Sequence, residues 1–355
     1  EKEEIYIGDK SYTPVKTFYD ELENVDVDIL IEKALQIEKA ALNYDKKIIS
    51  CNYCIVGKSS SKIYISNTKG LELSKKDNYV VAYAGALAKE NENIKSGFEI
   101  IAGFNIEDID PIYIGETASK KALASLGATS LPSKKYNVIF ENECFTDLLS
   151  CFLGSFCAES VQKGFSLLKG KLNEKIASDI ITILDEPLKE NGYNSNSFDS
   201  EGVACYNKTV VENGILKTYL YNLKTAKKDG VKSTGNGFKS GYKGKISISP
   251  TNFYIKNGEK PLNNIFENVK DGAYITELSG LHAGVNSISG DFSILANGYL
   301  IENGKKAKAI EQITIAGNFY DMLLNIEDIA NDLKFSLNGV GSPSIFVGKL
   351  SISGE

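Results

Sequence analysis

The stretch ITELSGLHAGVNSISGDFS, residues 275–293, holds the sole histidine of the 355-residue chain, His282. Glu277, Ser287 and Asp291 stand a few positions away, and Ser279, Gly280, Ala283, Gly284 and Gly290 are small enough to let backbone approach a ligand. An acid, a base and a hydroxyl could in principle carry out acyl transfer, with the imidazole taking the serine proton. Triad partners, however, converge from separate elements, and the G-x-S-x-G nucleophile elbow is absent. The segment therefore reads as a glycine-rich turn or groove lining with His282 at its tip. Zinc-peptidase helices need two histidines one turn apart plus a glutamate as base. One histidine cannot supply them, and the sequence groups no Cys, Asp and Glu into a substitute metal site.

Three other stretches invite chemistry. CNYC, residues 51–54, has C-x-x-C spacing, but a zinc site needs a second pair and none follows, so Cys51 and Cys54 read as half-buried thiols in a strand. STGNGFKSGYKGKIS, residues 233–247, looks like a phosphate loop but fails the G-x-x-x-x-G-K-[ST] pattern twice: Ile246 follows Gly244-Lys245, and Lys239 stands where the first glycine should be. It reads as a Gly/Lys loop beside a groove. LLSCFLGSFCAES, residues 148–160, places Leu149, Phe152, Leu153 and Phe156 at helical spacing, which reads as a buried helix. Its Cys151 could act as a nucleophile only with a base nearby.

These stretches must be positioned by a chain of ordinary globular composition, 42% hydrophobic and 24% charged. No run approaches the roughly 18 apolar residues of a membrane span. Lys plus Arg number 40 against 46 for Asp plus Glu, a net charge of −6, and the lysines read as scattered among acids, so no direct nucleic-acid partner and no membrane is expected. Six cysteines in a large chain with no export signal point to reduced thiols in a cytoplasmic protein.

A helix is expected over 26–43, capped by Asp28, with Ile31, Ala34, Leu35, Ala41 and Leu42 on one face. An antiparallel meander follows, then a helix over 115–128 capped by Thr117 or Ser119 and stopped at Gly127. TSLPSKK, residues 129–135, reads as the linker. Beyond it come a strand, a helix and then mostly strands, with hairpins at the Asn-Gly pairs of 213–214, 257–258 and 303–304. A last helix is expected over 319–334. The fold class is α+β: a smaller N-terminal α/β part, residues 1–130, and a β-rich C-terminal domain, residues 135–355, with mixed and antiparallel sheets and few helices.

Several ordered blocks carry a resemblance. FDSEGVACYNKTVVENGILKTYLYNLKTAKKDGVKSTGNG (198–237), ITELSG (275–280), SGDFSILANGYLIENG (289–304), ITIAGNFYDMLLNIEDIANDLK (313–334) and the closing KLSISG resemble the TldD/PmbA family, also called peptidase family U62 or modulator of DNA gyrase. Members of that family carry a further N-terminal stretch, so the resemblance implies an N-terminal domain truncated at its start. TldD-type members hold H-E-x-x-x-H on the helix after the linker and a third ligand, a cysteine, near the C-terminus. PmbA-type members, also called TldE, lack the motif and pair with TldD. Here Ser150, Cys151 and Ser155 stand at the motif positions, and SLNGVGSPSIFVG, residues 336–348, has no cysteine. The resemblance thus implies a non-catalytic subunit with no metal and no cofactor of its own. Zinc is expected in a TldD-type partner, and the complex would act on small unfolded peptides. Thr234, Gly235, Asn236, Gly237, Gly280, His282, Gly284 and Gly290 are the candidates for the peptide cleft. Two alternatives stay open: a stand-alone peptidase or hydrolase with relocated cysteine or metal chemistry, and a peptide-binding homodimer.

Overall fold

The computed structural model describes residues 5–355. Two compact units emerge: Lys16–Tyr64 with Ser74–Thr129, and a larger one formed by residues up to Val15, Ile65–Leu73 and Ser130–Glu355.

In the smaller unit, strands Ile48–Ser66, Glu72–Glu90 and Asn93–Gly103 form a sheet in sequence order. Every second residue from Val80 to Ala88 is buried, and four of the five are alanine. These small side chains let helices Val27–Asn43 and Pro111–Ala124 lie close. Two glycines set the limit: a Cβ on Gly97 would sit 2.2 Å from the Ala118 carbonyl, and one on Gly115 would sit 2.4 Å from that of Ile37. The first helix is capped by Asp26 rather than Asp28, and its buried stripe is Leu30, Ile37 and Ala41. Ile31 and Leu35 are exposed, because the contact with Gly115 turns the Ile37–Ala41 side inward. The second helix starts earlier than its sequence suggests. Asp110 accepts the Ile112 and Tyr113 amides, and Ser119 lies in the interior, donating to Ala41 O. Cys51 and Cys54 lie within the first strand and donate to Tyr53 O and Ala34 O.

The larger unit contains a small barrel. Strands Lys305–Asn318, Asp291–Glu302, Gly272–Ser279, Lys134–Phe140 and Ile345–Ser353 neighbour one another in that order, and the first also pairs with the last. Lys134–Phe140 and Gly272–Ser279 run parallel; the other barrel pairings are antiparallel. A second mixed sheet contains Val340–Ser342, Phe253–Ile255, Ile183–Asp185 and Lys208–Glu212. The core joins Val138, Phe140 and Ile275 of the barrel to Phe253, Ile255 and Val210 of the second sheet, with Phe145, Leu148 and Phe152 between. The architecture is α+β with a β-rich C-terminal part.

Two of the three Asn-Gly pairs are hairpin turns. Asn213 and Gly214 (φ 47° and 78°), like Asn303 and Gly304 (φ 51° and 74°), have the two positive φ angles that a type I′ turn needs. The third is not a turn. Gly258 donates to Ala330 O, a Cβ there would lie 1.9 Å from Ile329 O, and Phe253–Ile255 pairs with strands distant in sequence. The expected 319–334 helix stops at Leu324, because Asp328 and Ile329 pair with Phe346 and Ile345 as strand. The period of that stretch is helical, but long-range pairing overrides it.

Candidate functional site

The strand Lys134–Phe140 feeds directly into the helix Asn142–Cys151, where Phe145, Leu148 and Leu149 are buried and fix its orientation. The hydroxyls on this helix turn back on it: Thr146 donates to Asn142 O and Ser150 to Thr146 O, each at 2.8 Å. Such bonds to the carbonyl four residues back occupy the hydroxyl proton and hold the side chain against its own helix. Cys151 lies 3.5 Å from Asp147 O. Burial, then the Asp147 charge, pushes its thiol up, the opposite of what a nucleophilic cysteine needs.

The helix ends at Cys151, and a 3-10 turn over Leu153–Phe156 follows. Ser150 and Ser155 therefore lie on different elements. Ser155 is 3% exposed and shares a 2.8 Å hydrogen bond with the Tyr320 hydroxyl. Tyr320 opens the helix Phe319–Leu324, whose N-cap Asn318 accepts the Tyr320 and Asp321 amides. Asn318 Nδ2 donates to Ser289 O and Asp291 Oδ1, each at 2.9 Å. Gly290 (φ 86°) backs onto the tyrosine, and a Cβ there would be 2.5 Å from its ring.

The structure thus brings Gly290 and Ser155 to the same tyrosine, a meeting the sequence reading missed. Its readable trace is Asn318 followed three positions later by Asp321, the signature of a capped helix start. Gly280 (φ 79°) leads into the short helix Leu281–Gly284, on which His282 is exposed. Gly284 presses against Ser293 O, which a Cβ would meet at 2.4 Å. Asp291 is engaged by Asn318 and Ser289, bonds that hold its carboxyl below the ordinary 3.8.

Thr234, Gly235, Asn236 and Gly237 lie elsewhere in the unit and are buried. Thr234 Oγ1 accepts from Tyr221 N and donates to Asn236 Oδ1, each at 2.7 Å. Asn236 Nδ2 donates to Asp185 Oδ2 at 2.8 Å. The same Asp185 carboxylate takes Lys208 Nζ at 3.0 Å and both Thr251 N and Oγ1 at 2.7 Å. Asp185 is 0% and Lys208 8% exposed, so this is a fully paired buried charge network. Nothing local in the sequence points to it, because its members are up to 66 residues apart.

The donor set at the motif positions does not fit zinc: Ser150 and Cys151 on the helix and Ser155 on the following turn offer two hydroxyls and one thiol with no imidazole or carboxylate among them. Among the described residues no three or more His, Cys, Asp or Glu side chains are grouped to hold a metal ion. None of the six cysteines is in a disulfide. No described helix is long and apolar enough to cross a membrane.

Residues 133–354 match the PmbA/TldA metallopeptidase C-terminal domain and residues 20–126 its central domain. Among curated proteins, the chain is 30% identical to the metalloprotease PmbA homolog of Haemophilus influenzae over 334 residues, covering 94% of this chain and 71% of that one. It is 32% identical over 206 residues to the metalloprotease TldD homolog of Buchnera aphidicola, covering 54% and 42%. Among solved structures, a modulator of DNA gyrase from Thermotoga maritima superposes with a TM-score of 0.93 at 37% identity, covering 99% of this chain and 80% of that one. TldE from Thermococcus kodakarensis does so with a TM-score of 0.90 at 26% identity, covering 98% and 79%. The chain belongs to the PmbA/TldD metallopeptidase family.

Proposed function

We propose that this chain is the non-catalytic, TldE-like subunit of a two-component cytoplasmic metallopeptidase, holding small unfolded peptides while a zinc-bearing TldD-type partner cleaves them. The observation that carries the reading is the fate of the motif positions. Ser150 and Cys151 bond within their own helix and Ser155 bonds Tyr320, and two hydroxyls and one thiol supply neither the imidazole ligands nor the carboxylate base of a zinc peptidase. Similarity to TldE and PmbA proteins supports the pairing. Peptide holding would rest on strand addition, in which backbone donors and acceptors grip any sequence and side-chain pockets select. The candidates for that cleft are Gly280, His282, Gly284 and Gly290 in one segment and Thr234, Gly235, Asn236 and Gly237 in another.

The test is to purify the chain alone and with a TldD-type protein, add zinc and an unstructured peptide, and follow cleavage by mass spectrometry. Cleavage is expected only with both proteins present. Cleavage by this chain alone overturns the reading, and a dimer of this chain that ignores the TldD-type protein in light scattering replaces it with the homodimer.

A further inference from the structure

The chain is acidic, at −6, yet its 223–245 segment carries Lys224, Lys227, Lys228, Lys232, Lys239, Lys243 and Lys245 against one acid, Asp229. The expectation of lysines scattered among acids fails here. All seven are exposed. The ion pairs of the described residues nearby in sequence use other lysines: Lys163, Lys171, Lys175, Lys189, Lys208 and Lys217. Asp229 is engaged by the Tyr221 hydroxyl at 3.2 Å. Like charges left unbalanced repel one another, a cost that an anionic partner would relieve.

The fold gathers these lysines. After the helix Leu223–Asp229, Val231 N returns to Ala226 O and Thr234 N to Tyr221 O. The Glu201 carboxylate accepts Leu223 N at 2.8 Å and also lies against Gly237, where a Cβ would meet it at 2.4 Å. One carboxylate therefore holds both the helix start and the base of the next hairpin. That hairpin pairs Gly237–Lys239 with Ile246–Ile248 in a sheet of two strands, and Tyr242 at its tip is 86% exposed. Its far end touches the motif region: the Cys157 thiol lies 3.8 Å from Ile248 O, and Cys157 follows the turn that carries Ser155.

We propose that this lysine-bearing helix and hairpin dock acidic segments of the extended peptides the chain holds; the proposal rests on the peptide-holding reading and names its substrate class. The Gly237–Lys239 edge is already engaged, Gly237 N by Asp199 Oδ2, Gly237 O by Ser200 N and Lys239 N by Ser200 Oγ, so the grip here falls to the lysine side chains. The lysines would pair with carboxylates of the extended peptide. A nucleic-acid duplex fits less well, because its affinity draws on many phosphate contacts and the chain as a whole carries a net charge of −6.

The experiment uses three fluorescent, unstructured peptides of equal length, rich in Glu, Gln or Lys, titrated into the full chain and read by anisotropy. The Glu-rich peptide is expected to bind about tenfold more tightly than the Gln-rich one at low salt, from a few exposed pairs, with the margin shrinking as salt rises. The triple variant Lys239→Gln, Lys243→Gln, Lys245→Gln should lose that margin and keep its affinity for the Gln-rich peptide. Equal binding of the Glu-rich and Gln-rich peptides, or a margin the variant preserves, overturns the acidic docking and leaves the peptide-holding reading standing. Failure of all three peptides to bind overturns both. A short DNA duplex that displaces the Glu-rich peptide better than the unlabelled peptide does reassigns the patch to nucleic acid and also overturns the proposal.

Discussion

Asp199 permits a stability experiment whose sign is fixed by the structure. Its carboxylate is 1% exposed and accepts three amides: Glu201 N and Val203 N on Oδ1, Gly237 N on Oδ2. Burial is the main cause that pushes the carboxyl from 3.8 up to about 7; the nearby Glu201 charge adds to it, and the three amides oppose it. The folded chain then holds this proton more tightly than the unfolded chain. Its contribution to stability is full below about pH 4 and is lost as pH rises through about 7. Between those limits the loss amounts to roughly 4 kcal/mol. Other acids titrate over the same range, so the readout is a difference between parent and Asp199→Asn. The asparagine cannot titrate. It keeps the oxygen for Glu201 and Val203 but turns an amide toward Gly237 N, a mismatch costing about 1–3 kcal/mol at every pH. In urea unfolding at fixed ionic strength, the variant should be the less stable at pH 4. The gap should close on the way to pH 7, and the variant should match or exceed the parent by pH 8. A gap that stays constant, or widens with pH, refutes the assignment of a buried, proton-holding Asp199.

Three further substitutions follow from the geometry. Lys208→Met strips the Asp185 carboxylate of its cation while both sites remain buried; calorimetry should show a loss of about 3–5 kcal/mol, and a loss below about 1 kcal/mol would mean that Asn236 and Thr251 suffice. Gly290→Ala forces a Cβ into the Tyr320 ring at a positive φ and should cost about 1–3 kcal/mol, whereas Tyr320→Phe, which loses only the bond to Ser155, should cost about 1 kcal/mol in thermal melts; equal costs would show that the ring position does not depend on the glycine.

What was legible depended on the range of the interaction. Local chemistry read well: the Asn213-Gly214 and Asn303-Gly304 turns need nothing beyond their own φ angles and their flanking strands. Asn257-Gly258 carries the same dipeptide and makes no hairpin, because its neighbouring strand pairs with residues at 183–185 and 340–341 instead. The 319–334 stretch failed for the same reason, its second half being claimed by the strand Ile345–Ser353. In Val27–Asn43 the helix was legible and the buried face was not, because which stripe turns inward is set by Gly115 on another helix. The Asp185 network was invisible for the extreme form of this cause: four polar residues far apart in sequence satisfy one another completely.

A lone histidine argues against a zinc-peptidase site, and the packing at the motif positions adds to that argument. Here the space at Ser155 is filled by the Tyr320 hydroxyl, and Tyr320 is pinned from behind by a glycine that leaves no room to retreat and from below by the Asn318 cap. The helix ends at Cys151, so Ser150 and Ser155 lie on different elements, and a histidine at 155 would have to displace the Tyr320 hydroxyl from its bond.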